Sequence, residues 1–178
     1  MKHHSGCMVT AYTTTQHLLV DLDDCSLFQA TGLARLLAEE YLDLGDCLIV
    51  QCGDYSHHLI FDNKLPFEYL NNVIKLLWDF RYVNDEVKYF RDVRGDFSLR
   101  VSEKLTEDSD KSVPNPIYYL SNNQTNQRDA KILDYLKLLS LFNPTANELL
   151  VKPLPLYPIQ YLFAPDLHLH SLKESSLL

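Results

Sequence analysis

Gln16-His17-Leu18-Leu19-Val20 runs straight into Asp21-Leu22-Asp23-Asp24, and Ser26-Leu27-Phe28-Gln29 follows at once. A short apolar run closed by carboxylates reads as a buried strand with acidic side chains at its end. Ser26 with Gln29 three residues later is a capping box, the signature of a helix N-terminus. Leu27, Phe28, Ala30, Leu33, Ala34, Leu37 and Tyr41 then recur at helical spacing until Gly45. A strand that passes directly into an amphipathic helix decides for a mixed fold.

Working outward, residues 47–51 form a second apolar run, Gly53 and Asp54 supply turn chemistry, and residues 56–61 form a third run, so the two strands predict a hairpin. Pro66 sits where a first helical turn tolerates it, and Phe67, Leu70, Val73, Ile74, Leu77 and Trp78 mark a second amphipathic helix. Residues 82–90 read as a weak strand or turn. Residues 97–102, Phe97-Ser98-Leu99-Arg100-Val101-Ser102, alternate apolar and polar as a half-exposed strand does. The order β-α-β-β-α-β-β predicts an α+β fold, with helices on one face of a mainly antiparallel sheet and the other face open, of the ferredoxin-like and RNA-recognition kind. Residues 1–104 make up this core. Residues 105–127 turn rich in Ser, Asp, Asn, Pro and Gln and read as a loop or linker, and 128–178 comprise a helix over about 128–142 and a Pro/Leu-rich tail. That tail is too apolar to stay solvated and too rich in proline for a helix, so it is expected to dock, on its own domain or on a protein partner or second copy.

The 178 residues suit one domain, and 46% apolar against 22% charged residues is the composition of a chain that folds. No run approaches the roughly 18 apolar residues of a membrane span, and residues 1–15 lack the layout of a signal peptide, so the expectation is a cytoplasmic protein with no membrane partner. The four cysteines, Cys7, Cys25, Cys47 and Cys52, lack C-x-x-C spacing and read as reduced thiols. A net charge of -8 counts against a broad nucleic-acid-binding surface, although Arg91, Arg94, Arg100 and Lys104 gather in one short stretch.

Three features carry chemistry. Asp21 and Asp23 are two apart at a strand end, so alternation puts both carboxylates on one face, where hard oxygen donors suit magnesium or manganese. In Ser56-His57-His58 adjacent histidines must face opposite ways, and His58, two residues past Ser56, is the one expected to join the acidic face and hold phosphate with it. The third stretch offers Asp85, Asp92 and Asp96 as a further carboxylate, and Arg100 and Lys104 as cations for polyphosphate.

In this order the features resemble the archaeo-eukaryotic primase and primase-polymerase superfamily over about residues 16–104. Leu18-Leu19-Val20-Asp21-Leu22-Asp23 looks like its strand ending in D-x-D, Ser56-His57-His58 like its s-x-H motif, and Asp85, or alternatively Asp92, like its third acidic residue. Residues 99–104 are similar to the basic segment that follows in many members. The resemblance implies an enzyme performing two-metal nucleotidyl transfer with nucleoside triphosphates in nucleic-acid synthesis or repair, and leaves open whether a nucleic-acid template is used. Asp21, Asp23 and the third Asp would hold Mg2+ or Mn2+, and Ser56, His58, Arg100 and Lys104 would bind the triphosphate. Two rivals stand beside it: a metal-dependent nuclease or replication-initiator relative using His168 and His170, and a non-catalytic adaptor, or inactive primase-like domain, acting through its tail.

Overall fold

The computed structural model describes residues 10–106, 109–120 and 130–146, with side chains at most of these positions. The chain begins with β1 (Ala11–Thr14), β2 (Leu19–Leu22), α1 (Leu27–Glu40) and a short 3-10 turn, Leu42–Leu44. The hairpin β3 (Cys47–Gly53) and β4 (Ser56–Phe61) leads into α2 (Phe67–Asp79) and α3 (Asp85–Arg94). Then come β5 (Phe97–Arg100), β6 (Lys104–Thr106), β7 (Ser109–Lys111), β8 (Asn115–Leu120) and α4 (Ala130–Leu139). The fold is α+β with antiparallel sheets, as expected. No helix among the described residues is long and apolar enough to cross a membrane.

The main sheet has the order β2-β4-β3-β8, every pair antiparallel. Leu19 pairs with Ile60, and Ile60 with Leu48; one step along, Val20 pairs with Leu59, and Leu59 with Ile49. Consecutive residues face opposite ways, and all six are almost fully buried, so both faces of the sheet are covered. The capping box forms as read: the Gln29 amide donates to Ser26 Oγ, and the Ser26 amide donates to Gln29 Oε1 at 2.9 Å. Gly45 (φ 77°) then turns the chain into β3. At that corner Asp62 Oδ1 accepts the Asp46 amide at 2.7 Å, and the Tyr119 hydroxyl donates to Asp46 Oδ2 at 2.6 Å, tying β3, β4 and β8 together.

Four expectations are corrected. Residues 82–90 hold no strand but enter α3, which Asn84 starts by accepting the Val87 amide and Gly95 ends in the left-handed conformation. The stretch 105–127 is more than a linker. It holds β6, β7 and β8, and β8 joins the main sheet with a bulge between Ile49 and Val50 where Pro116, lacking an N–H, is seated on an edge strand. Residues 97–100 pair with β1, a strand composition did not reveal, and β5 also lies beside β2. Finally, the second sheet face is not open throughout, because Leu19, Leu48 and Ile60 on one side and Val20, Ile49 and Leu59 on the other are all buried. The tail from residue 147, including His168 and His170, lies outside the described residues, as do residues 121–127.

Candidate functional site

β2 and β4 set the register of the acidic face. Asp21 is directly opposite His58, Leu22 opposite His57, and the same alternation carries Asp23, one step past β2, toward Ser56. The side chains follow. Asp21 Oδ1 is 3.5 Å from His58 Nε2, and the Ser56 hydroxyl donates to Asp23 Oδ1 at 3.2 Å. Both carboxylates therefore share a face with Ser56 and His58, as the sequence spacing predicts. His58 is buried at 2% exposure, whereas Asp21 keeps 35%, so the face is open on its β2 side.

His57 points the other way. Its Nδ1–H donates to the Cys25 carbonyl at 2.9 Å, which fixes the tautomer, and burial lowers its pKa despite that bond. The three described cysteines, Cys25, Cys47 and Cys52, are free and buried, and burial pushes the Cys25 thiol up to about 11. Burial raises the Cys47 thiol as well, so Cys25 and Cys47 are inert packing groups at neutral pH.

Arg100, at the end of β5, donates from Nη1 to the Ser102 carbonyl and, at 2.8 Å, to the Ser112 carbonyl. Lys104 opens β6, and its side chain lies outside the described set.

The other candidate carboxylates are placed elsewhere. Asp85 begins α3 and accepts the Trp78 indole N–H at 2.7 Å. It does share a cleft of about 720 Å³ with Asp23, lined also by Asp24, Asp79, Arg81 and Tyr82. Asp92 is exposed and accepts from Arg91 Nη2 at 2.7 Å, which holds its carboxyl below the usual range. Asp96 accepts from the Ser98 hydroxyl at 3.3 Å. Among the described residues no group of three or more His, Cys, Asp or Glu side chains is placed to hold a metal ion.

Comparison with family models, with curated proteins and with solved structures finds no match to this chain.

Proposed function

We propose that the chain is a primase-polymerase-like nucleotidyltransferase domain that binds a nucleoside triphosphate with a divalent ion on the face shared by Asp21 and Asp23. The observation that carries this reading is the pair of cross-strand contacts, Asp21 with His58 and Asp23 with Ser56. Strand-end acids that merely terminate a strand and start a helix have no need of a serine and a buried histidine opposite them in register. The order β2-β4-β3, with α1 before the hairpin and α2 after it, supports a core of the ferredoxin-like or RNA-recognition kind, in line with the primase resemblance.

Two carboxylates suffice for one magnesium or manganese ion when substrate phosphates and water complete its shell. Asp21 and Asp23 fit that role. A second ion held by a third carboxylate is not supported, since Asp85 and Asp92 are bonded to Trp78 and Arg91. A bound ion would supply charge neutralisation at the phosphates. The chain's own part is to fix the two carboxylates by strand register, to offer the Ser56 hydroxyl and His58 ring to phosphate oxygens, and to present Arg100 as a cation.

A second reading, an inactive primase-like domain working as an adaptor, is favoured by those engaged acids. The two are separated by assaying incorporation of labelled nucleotide on single-stranded templates with Mn2+, alongside melting temperature with and without Mn2+ and triphosphate. The enzyme reading predicts incorporation that Asp23→Ala abolishes. Stabilisation without incorporation would favour the inactive form, and neither effect would remove the nucleotide site altogether.

A further inference from the structure

The cleft of about 720 Å³ runs from the end of β2 to the turn between α2 and α3, and Asp23, which accepts from Ser56 on the acidic face, is part of its wall. Its volume is that of a site for a small organic ligand. Trp78 and Tyr82, both partly buried, line it with aromatic rings. Trp78 is held in place: its indole N–H donates to Asp85 Oδ1 at 2.7 Å, and Lys88 Nζ stands 3.6 Å from the ring centroid.

The charges beside these rings do little for the fold. Asp24, Asp79 and Arg81 line the cleft, are exposed, and make no side-chain hydrogen bond or ion pair among the described residues. Asp79 ends α2, where a carboxylate meets the negative end of the helix dipole and lowers stability. Arg81 has φ 61°, a left-handed conformation that arginine rarely adopts. A planar ligand with two neighbouring donors on one edge and two acceptors on another would engage the carboxylate and the guanidinium together. Guanine has that arrangement: its N1–H and exocyclic amino group suit a carboxylate, and O6 and N7 accept a bidentate guanidinium. Adenine sets its N1 acceptor against the carboxylate, and a pyrimidine lacks the second edge.

We propose that this cleft takes the base of the nucleoside triphosphate and selects guanine, with the ring against the Trp78 and Tyr82 wall, Asp79 at the donor edge and Arg81 at O6 and N7. The assignment rests on the function proposed above and names the substrate of that site. Asp23, common to the acidic face and the cleft, joins the phosphate end to the base end.

The test is calorimetric titration of the full chain in MnCl2 with GTP and with ATP, comparing wild type, Asp79→Asn, Arg81→Gly and Asp23→Ala, with a melting curve for each. Wild type is expected to bind GTP about tenfold more tightly than ATP, the scale of one bidentate contact to a base. Asp79→Asn and Arg81→Gly are each expected to bring the GTP-to-ATP ratio close to one. Both should melt no lower than wild type, since one removes a charge opposed to the helix dipole and the other puts glycine at a left-handed position. Equal binding of GTP and ATP by wild type, with both lost in Asp23→Ala, overturns the inference and leaves the function standing. A preference for GTP that both cleft variants keep also overturns it, by showing that the base is read elsewhere. Absence of triphosphate binding by wild type overturns both.

Discussion

Replacing Gly45 by alanine tests the corner that fixes the hairpin relative to α1. Gly45 has φ 77° and ψ -150°, a region open essentially to glycine alone. A Cβ there would lie 2.1 Å from Asp62 Oδ1 and 2.7 Å from Asn63 Cγ. The backbone strain is worth about 1–3 kcal/mol. Moving the Asp62 carboxylate also breaks its bond to the buried Asp46 amide, which adds about 1–3 kcal/mol. The sum, about 2–6 kcal/mol, is a large part of the stability of an ordinary domain, and at a urea m-value of about 1–3 kcal/mol/M it moves the midpoint by about 1 M or more. Two controls calibrate it. Gly95 is also left-handed (φ 69°) but open to solvent on its Cβ side, so alanine there costs about 1 kcal/mol. At Gly53 the added Cβ meets only Ser56 Cβ at 3.8 Å, and the change should lie within about 0.5 kcal/mol. Urea titrations followed by circular dichroism should rank the losses Gly45, Gly95, Gly53. A Gly45→Ala loss no greater than that of Gly95→Ala would refute the reasoning.

Because burial lowers the His57 pKa, the unfolded chain takes up a proton at a higher pH than the native one. This contribution to stability is thus complete above about pH 6.5 and is lost as pH falls from there through the native pKa; His57→Gln should flatten that limb of a stability–pH curve. Asp23→Ala removes one partly exposed bond to Ser56, so it should cost about 1 kcal/mol or less in denaturation while eliminating nucleotide incorporation. Arg100→Lys cannot reproduce the bonds to the Ser102 and Ser112 carbonyls, and urea unfolding should show a loss of about 1–3 kcal/mol.

What was legible in the sequence is what short-range periodicity encodes. The capping box at Ser26 and Gln29 located α1, and the two-residue period of strands placed Asp21, Asp23, Ser56 and His58 on one face before any register was known. α3 escaped because its signals are a cap at Asn84 and a stop at Gly95 around a mostly polar segment, including an arginine, Arg91, that the fold buries. β8 escaped because Asn115 and Pro116 read as loop residues, and only pairing with β3 at a bulge makes them a strand. The packing of Tyr135 on α4 against Tyr12 on β1 is a long-range choice that a helical stripe could not reveal.

The central claim is that Asp21 and Asp23 hold a divalent ion at a triphosphate. Crystals grown with manganese and a non-hydrolysable nucleoside triphosphate test it most directly, read by anomalous scattering at the manganese edge. The account predicts one strong peak bonded to carboxylate oxygens of both Asp21 and Asp23 and to phosphate, with Ser56, His58 and Arg100 around the phosphates. A triphosphate and manganese bound away from these two carboxylates, or no peak between them at saturating manganese, would contradict it.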